Sequence, residues 1–322
     1  MSKEAIIEYL GDDWKEMVGL IRSSLGSDVS LLQDVNGEVL SHGGKMLRPM
    51  MTLLMAKACG VLTEDSIRYA AAAEMLHNAT LMHDDVADES NERRGFPTVS
   101  SFVGPNAAVL VGDFWLAKAV EVVLATARHE EVIGYFSKTL TNLAEGEMLQ
   151  LQKSETGDTT EEDYERIIYS KTASLFEAAL VSGAVSAGAS SEFKDVAARY
   201  ARAIGMAFQI KDDILDYVGD MKVGKPVGVD LKEQKITLPL LGALKSSPKE
   251  SEIRKKIREI RFHPEYIREI TEFVLASSGV EYAAQRLGEY VQTAKDVLSP
   301  LPESQAKEYL IQLAEYNIFR EQ

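Results

Sequence analysis

Two copies of one acidic motif occur in the sequence, and the spacing of their aspartates could bind a divalent metal ion. The pattern is D-D-x-x-D, at residues 84–88 and again at residues 212–216. On a helix, the first and last aspartates of each copy project from one face, where two like charges are unfavourable without a cation. Carboxylates without histidine or cysteine suit Mg²⁺, which also binds waters and substrate phosphates. Two copies that face each other would therefore form a magnesium site for a phosphorylated ligand.

Basic and polar side chains that could hold such an anion occur before and after both motifs in the sequence. The basic ones are Lys45, Arg48, Arg93, Arg94, Lys171, Lys225 and Lys235. Arginine matches phosphate oxygens in a bidentate fashion. His77 lies seven residues before Asp84, on the same helical stripe, and Gln209 lies three residues before Asp212. We therefore expect ligand contacts from this set.

A near match to a nucleotide-binding loop covers residues 219–226. The pattern G-x-x-x-x-G-K is present, but Pro226 replaces the hydroxyl residue that would bind Mg²⁺. A helix is expected before this segment, whereas a P-loop follows a strand. Both differences exclude an NTP-binding P-loop.

The elements that must position these residues are helices, because apolar residues recur at spacings of three and four along nearly the whole chain. No convincing run of alternating β-branched residues indicates a strand. The predicted helices cover 3–24, 28–42, 46–59, 64–86, 105–125, 129–152, 160–188, 192–219, 234–246, 250–259, 264–297 and 303–319. Glycine and proline separate most of these segments, and no linker divides the chain. The sequence therefore predicts one all-α domain over residues 1–322, built around a helical bundle.

The amino-acid composition limits which classes of binding partner and which compartment are expected. The chain has 322 residues, and 35 Lys and Arg against 50 Asp and Glu give a formal charge of −15. This balance argues against nucleic acid or an anionic membrane surface as the main partner. A single cysteine, Cys59, excludes an internal disulfide and fits a reducing compartment. We expect a cytoplasmic protein, because neither a signal peptide nor an integral membrane segment is recognisable.

Five stretches of the sequence together carry a family resemblance over roughly residues 40–240. They are Gly43-Gly44-Lys45-x-x-Arg48-Pro49, residues 77–95, Val111-Gly112-Asp113, Lys171-Thr172 and residues 209–230. In combination they resemble the trans-isoprenyl diphosphate synthases, or polyprenyl synthetases, of the long-chain type. Met46 departs mildly from the pattern, since the family often has arginine there. The resemblance implies the all-α isoprenoid-synthase fold with a central active-site cavity, usually in a homodimer.

The resemblance also implies a prenyltransferase that joins an allylic diphosphate to isopentenyl diphosphate, head to tail, and releases pyrophosphate. Farnesyl or geranylgeranyl diphosphate is the expected allylic partner. About three Mg²⁺ ions would be bound. Asp84, Asp88 and Asp212 would be the main ligands, and Asp85, Asp213 and Asp216 the secondary ones. The allylic diphosphate would contact Arg93, Lys171, Thr172, Gln209, Lys225 and Lys235. Isopentenyl diphosphate would contact Lys45, Arg48, His77 and Arg94.

Product length follows from two positions before the first motif. Bulky residues there form the floor of the chain cavity in this family, whereas this sequence has Ala79 and Thr80. An open floor implies a long product of about six to ten isoprene units, for which a quinone side chain is the leading destination. A shorter-chain farnesyl or geranylgeranyl diphosphate synthase is the alternative. A terpene cyclase, a non-catalytic subunit of a heteromeric synthase and a helical binding protein fit less well, because both acidic motifs and the basic set are intact.

Overall fold

The structure is a computed structural model of the chain, and it describes residues 2–42, 44–93, 95–219, 228–245 and 247–319. Helices account for nearly all regular structure in these ranges, so the predicted all-α class is confirmed. The one strand pair in them consists of β1, Glu92–Arg93, and β2, Phe96–Pro97, which are antiparallel. The sequence did not predict this pair, because strands of two residues are too short to show an alternating pattern.

Helical elements follow one another along the chain with short connections. The first eight are α1 Lys3–Ser24, α2 Ser30–Ser41, α3 Leu47–Cys59, α4 Glu64–Ala87, α5 Val99–Val103, α6 Pro105–Leu124, α7 His129–Thr156 and α8 Glu161–Ile168. A π-helix, Tyr169–Ala173, comes next. The rest are α9 Ser174–Ser186, α10 Ser191–Val218, α11 Val229–Lys232, α12 Leu238–Leu244, α13 Glu250–Glu259, α14 Glu265–Leu275, α15 Gly279–Val297 and α16 Gln305–Phe319.

The chain divides into two compact units. Unit 1 comprises Met1–Ser137, Ala178–Ala198 and Pro300–Leu310; unit 2 comprises Lys138–Glu177, Arg199–Ser299 and Ile311–Gln322. The first acidic motif belongs to unit 1 and the second to unit 2. One domain over residues 1–322 stays a prediction.

Helix α4 forms the centre of unit 1 and packs against α1, α3 and α6. Its segment Ala70–Ala73 is fully buried, because small side chains let the neighbouring helices approach closely. A capping box fixes its start: the Thr63 hydroxyl accepts the Ser66 N–H, and the Ser66 hydroxyl accepts the Thr63 N–H at 3.0 Å. The first acidic motif lies at the other end of this buried helix, which gives it a defined position within unit 1.

A buried hydrogen-bond chain also stabilises unit 1. The Trp115 indole N–H donates to Asn36 Oδ1 at 2.8 Å, and the Asn36 amide donates to the Leu25 carbonyl at 2.8 Å. All three groups would otherwise be buried without partners, so the chain joins α6 to α2 and to the end of α1.

Helix α8 is anchored at its start within unit 2. Thr160 and Asp163 form a capping box. The Tyr282 hydroxyl donates to Glu161 at 2.6 Å, and the Arg286 guanidinium donates to Glu165 at 2.7 Å. Helix α15 therefore holds α8, which leads directly into the π-helix with Lys171 and Thr172.

Four predicted helices differ from the structure, and one of them, 129–152, continues to Thr156 as α7. The predicted helix 264–297 is two helices, α14 and α15, with a break at residues 276–278. The predicted helix 234–246 begins only at Leu238, because Gln234 has a left-handed φ of 60° and its amide donates to the carbonyls at the end of α13. The predicted helix 160–188 contains the π-helix, which a period of three to four residues does not reveal.

Candidate active site

The first acidic motif ends helix α4. Asp88 is the C-cap residue, and its N–H donates to the Asp84 carbonyl at 2.8 Å, so the helical path continues through the motif. Asp84 and Asp88 therefore share one helix face, as the spacing predicts, with Asp84 half-buried and Asp88 exposed. Carboxylates at a helix C-terminus oppose the helix dipole, and a bound cation would offset that cost.

Asp85, the middle residue of this motif, faces inward. It is 5% exposed, and the Arg93 Nε donates to its Oδ1 at 2.7 Å. Burial raises the pKa of Asp85 above its ordinary value, and the Arg93 guanidinium opposes that rise. Arg93, which the resemblance assigns to the allylic diphosphate, thus positions Asp85 in this structure. Its neighbour Arg94 lies outside the described residues.

The remaining predicted residues of α4 lie one and two turns before the motif. His77 is half-buried, and the Thr80 hydroxyl donates to its carbonyl at 2.8 Å. Ala79 is buried. His77 and Asp84 are two helical turns apart, which keeps them on one stripe.

His83 is a residue next to the first motif that the sequence analysis did not select. Its Nε2 lies 3.3 Å from an Asp113 carboxylate oxygen and 3.2 Å from the Val109 carbonyl oxygen on α6. A Cβ at Gly112 would collide with the ring, so glycine is required for this approach. The sequence signal was the segment Val111-Gly112-Asp113, which the resemblance included without assigning it a role.

Lys45 and Arg48 surround the start of α3. Lys45 is exposed just before the helix, and Arg48 is half-buried in its first turn. Met46, the N-cap between them, has a left-handed φ of 52°. The N-terminus of a helix carries a partial positive charge, so positive side chains are unfavourable there in the absence of an anion. The exposed N–H groups of the first turn also favour an anion. This end of α3 therefore suits the diphosphate that the resemblance assigns to it.

Asp213, the middle residue of the second motif, is the most enclosed of the motif aspartates and is only 2% exposed. The Tyr164 hydroxyl donates to its Oδ2 at 2.6 Å, and the Gln209 amide donates to its Oδ1 at 2.9 Å. The Thr172 hydroxyl in turn donates to Gln209 Oε1 at 2.9 Å. Burial raises the pKa of Asp213 to about 7, against the opposing effect of the Tyr164 and Gln209 hydrogen bonds. Thr172 and Gln209, predicted to bind diphosphate, thus also support the motif.

The other two aspartates of this motif are half-buried on α10. The Asp216 carboxylate accepts the backbone N–H groups of Val229 at 3.1 Å and Asp230 at 3.2 Å. Burial raises its pKa, and these backbone donors oppose that rise. Asp216 therefore secures the segment that follows the motif, while Asp212 stands one turn before it.

Asp230 adds a carboxylate that the sequence analysis did not select. Burial raises the pKa of Asp230 well above its ordinary value, and the nearby charges of Asp213 and Asp216 raise it further. The sequence indicated Asp230 through its position at the end of the stretch 209–230, which carries part of the family resemblance. Together, Asp230 and the motif make a dense group of carboxyl groups in unit 2.

Lys171 lies in the π-helix, a local geometry that occurs frequently at functional sites. Its ammonium group forms an ion pair with Glu147 of α7. The π-helix passes between two glycines: a Cβ at Gly146 would lie 2.6 Å from the Ser170 Cβ, and one at Gly205 would lie 2.5 Å from the Ala173 Cα. Glu147 and both glycines were missed, although an isolated glycine inside a helix often marks a close approach.

The last predicted basic residues follow the second motif. Lys235 is half-buried and forms an ion pair with Glu233. Lys225 lies within residues 220–227, outside the described part of the chain.

The donor set decides whether Mg²⁺ fits these residues. Each motif offers carboxylate oxygens only, which suits a hard cation; the middle aspartate of each is buried, Asp88 is exposed, and Asp212 and Asp216 are half-buried. Within the described ranges, no group of three or more histidine, cysteine, aspartate or glutamate side chains is arranged to hold a metal ion.

No helix in those ranges is both long and apolar enough to cross a bilayer.

Comparison with known proteins identifies the family of the chain. Residues 29–274 match the family described as Polyprenyl synthetase. The chain belongs to the polyprenyl synthetase family, whose members are prenyltransferases. The predicted family, its long-chain type and its all-α fold are confirmed by these matches.

Individual relatives match over the full chain. It is 38% identical to octaprenyl diphosphate synthase of Escherichia coli (strain K12), with 100% of both chains covered. A decaprenyl diphosphate synthase structure from Rhodobacter capsulatus is similar with a TM-score of 0.94, 32% identity and 100% of both chains covered. A polyprenyl synthase from Caulobacter crescentus CB15, complexed with calcium and isoprenyl diphosphate, has a TM-score of 0.91 and 34% identity, covering 100% of this chain and 98% of that one.

Proposed function

We propose that this protein is a Mg²⁺-dependent polyprenyl diphosphate synthase that extends an allylic diphosphate with isopentenyl diphosphate. Its product would be an all-trans chain of about six to ten isoprene units, which suits a quinone side chain. The observation that carries the proposal is the shared design of the two acidic motifs. In both, the middle aspartate is buried and accepts hydrogen bonds from protein side chains, and a neighbouring aspartate is more accessible.

The family resemblance implies which aspartates are the metal ligands. Asp84, Asp88 and Asp212 would hold the Mg²⁺ ions, about three in number, with Asp85, Asp213 and Asp216 in supporting positions. Bound Mg²⁺ would neutralise diphosphate oxygens and stabilise the charge that pyrophosphate gains as it leaves. Calcium accompanies isoprenyl diphosphate in the solved Caulobacter crescentus relative, which supports divalent-metal dependence here.

The basic residues divide between the two substrates. Arg93, Lys171, Lys225 and Lys235, with Thr172 and Gln209, would bind the allylic diphosphate, for which farnesyl or geranylgeranyl diphosphate is the expected compound. Lys45, Arg48, His77 and Arg94 would bind isopentenyl diphosphate. Lys171 is paired with Glu147 in the structure, so binding of the diphosphate would exchange one anionic partner for another.

Chain extension would then proceed in three changes of bonding. The allylic C–O bond breaks, and its electron pair goes to pyrophosphate, whose charge Arg93 and Lys171 stabilise. The double bond of isopentenyl diphosphate forms the new C–C bond with the allylic carbon. A proton finally leaves the new chain for pyrophosphate, and the electron pair of its C–H bond forms the new double bond. The nucleophile is the double bond of isopentenyl diphosphate, so no protein nucleophile is needed.

The small side chain at position 79 supports a long product. Ala79 is buried and Thr80 is half-buried in α4, so neither presents an aromatic ring on the approach to the motif. A shorter-chain synthase is the alternative, and product analysis separates the two.

A homodimer in the cytoplasm is the expected form of the enzyme. Leu110 of α6 is 68% exposed and Met148 of α7 is 67% exposed in the single chain. Contiguous apolar patches mark protein interfaces and single exposed side chains do not, so the expected homodimer rests on the family resemblance. The molar mass in solution, measured by light scattering, tests this part of the proposal.

The decisive experiment supplies Mg²⁺, farnesyl diphosphate and isopentenyl diphosphate to the purified protein. A ladder ending at six or more isoprene units supports the proposal, and termination at four units supports the shorter-chain alternative. Asp84→Asn should lower the rate by orders of magnitude, whereas Asp12→Asn, at an exposed residue of α1, provides the matched control. Absence of turnover by the wild-type protein would contradict the proposal.

A further inference from the structure

Tyr164, which was not among the predicted site residues, forms a hydrogen bond with the second acidic motif. Tyr164 of α8 is 3% exposed, and its hydroxyl donates to Asp213 Oδ2 at 2.6 Å. Neither the motif nor the resemblance assigns a role to this tyrosine. A hydrogen bond to a charged group is short and strong, and a buried one orients its acceptor firmly.

The two oxygens of Asp213 are engaged from different elements of unit 2. Tyr164 of α8 donates to one oxygen, and Gln209 of α10 donates to the other at 2.9 Å. The Gln209 amide is itself oriented by the Thr172 hydroxyl of the π-helix at 2.9 Å. Donors on both oxygens leave the carboxylate a single orientation, so the turn of α10 that carries it is also held.

The position of Tyr164 is set before it reaches Asp213. The capping box at Thr160 fixes the first turn of α8, and the tyrosine lies in the second turn. Ile167 and Ile168, which follow it, are buried. The phenol is thus preorganised by its own helix and does not depend on Asp213 for its place.

We propose that Tyr164 is a positioning residue for the metal ligand Asp212. Its hydroxyl fixes Asp213, and the fixed Asp213 holds the adjacent Asp212 in the orientation that binds the cation. The inference rests on the proposed function, in which Asp212 is a Mg²⁺ ligand. Supporting groups of this kind typically change metal affinity by about 10- to 100-fold when they are removed.

The test measures binding of Mn²⁺ alone to the full-length protein, from the electron paramagnetic resonance signal of the free ion. Tyr164→Phe should weaken the Asp212-dependent binding by about tenfold. Tyr282→Phe is the matched control, because that phenol also donates to a carboxylate at 2.6 Å, yet its partner is Glu161. Asp212→Asn defines which part of the Mn²⁺ binding belongs to the motif.

Turnover gives a second measurement that general damage would not reproduce. In Tyr164→Phe, the Mg²⁺ concentration for half-maximal rate should rise by about tenfold, and saturating Mg²⁺ should restore most of the rate. The KM for isopentenyl diphosphate should stay unchanged. A rate that saturating Mg²⁺ does not restore would overturn the proposal.

A double variant tests whether Tyr164 acts through Asp213. Mn²⁺ binding by Tyr164→Phe/Asp213→Asn should be no weaker than binding by Asp213→Asn alone, and additive losses would overturn the proposal. Wild-type affinity in Asp213→Asn would overturn it even if Tyr164→Phe did not fold. Wild-type affinity in Tyr164→Phe, with a loss in Asp212→Asn, overturns this inference and leaves the proposed function standing. Unchanged binding in Asp212→Asn overturns both.

Discussion

The close approach of α10 to the π-helix makes Gly205 the most informative single position in unit 2. An added Cβ would lie 2.5 Å from the Ala173 Cα and 2.7 Å from the Ala173 Cβ. Rotation of a side chain cannot relieve a contact with a backbone atom, so Gly205→Ala must displace one of the two helices.

The expected change in the free energy of unfolding combines two opposing effects. Alanine is favoured over glycine in a helix interior by about 1 kcal/mol. Overpacking of a well-packed contact costs about 1–3 kcal/mol, so Gly205→Ala should be destabilising by up to about 2 kcal/mol. Gly288 of α15 provides the matched control, because nothing lies within 4 Å of its added Cβ. Gly288→Ala should therefore be stabilising, by up to about 1 kcal/mol.

Urea unfolding followed by circular dichroism would compare both variants with the wild type. Gly205→Ala should also lower the rate of prenyl transfer, because Ala173 adjoins Thr172, while Gly288→Ala should leave the rate unchanged. Equal stability of the two variants would refute the steric reasoning.

Three further outcomes are expected. Ala79→Phe should shorten the products seen by chromatography, because an aromatic ring would occupy the path of the growing chain; unchanged product lengths would refute the open floor. Asn36→Ala should reduce the free energy of unfolding by about 2–4 kcal/mol, because it leaves the Trp115 N–H and the Leu25 carbonyl buried without partners. A loss below about 1 kcal/mol in urea unfolding would contradict this expectation. Iodoacetamide should label Cys59 slowly at pH 8 and rapidly in urea, because burial raises the pKa of the folded thiol to about 12; mass spectrometry showing equal rates would contradict this.

Much of the fold was predictable because its signals are local. The apolar period located helices such as α1 and α13, whose predicted bounds agree with the structure. The break at residues 276–278 was missed, because the apolar period on both sides continues across it. The π-helix was missed because its five residues give no separate period.

Candidate site residues could be selected from the sequence where one short segment contains them, as in the two acidic motifs. Tyr164 and Glu147 were not predictable in this way, because each acts on a residue from a different helix. A pattern of spacing describes one face of one helix and contains no information on such tertiary partners. The roles of the metal-binding and diphosphate-binding residues stay predictions until the variants are measured.

The two acidic motifs have the same letters but differ in how their middle aspartates are held. Asp85 pairs with the charged and 36% exposed Arg93, whereas Asp213 accepts hydrogen bonds from two neutral groups in a closed environment. Dissolved salt screens interactions between exposed charges and has much less effect on buried ones. High ionic strength should therefore weaken the ion pair between Asp85 and Arg93 and leave the hydrogen bonds to Asp213 unchanged. The position of the first motif should thus respond to the ionic composition of the surroundings, and that of the second should not.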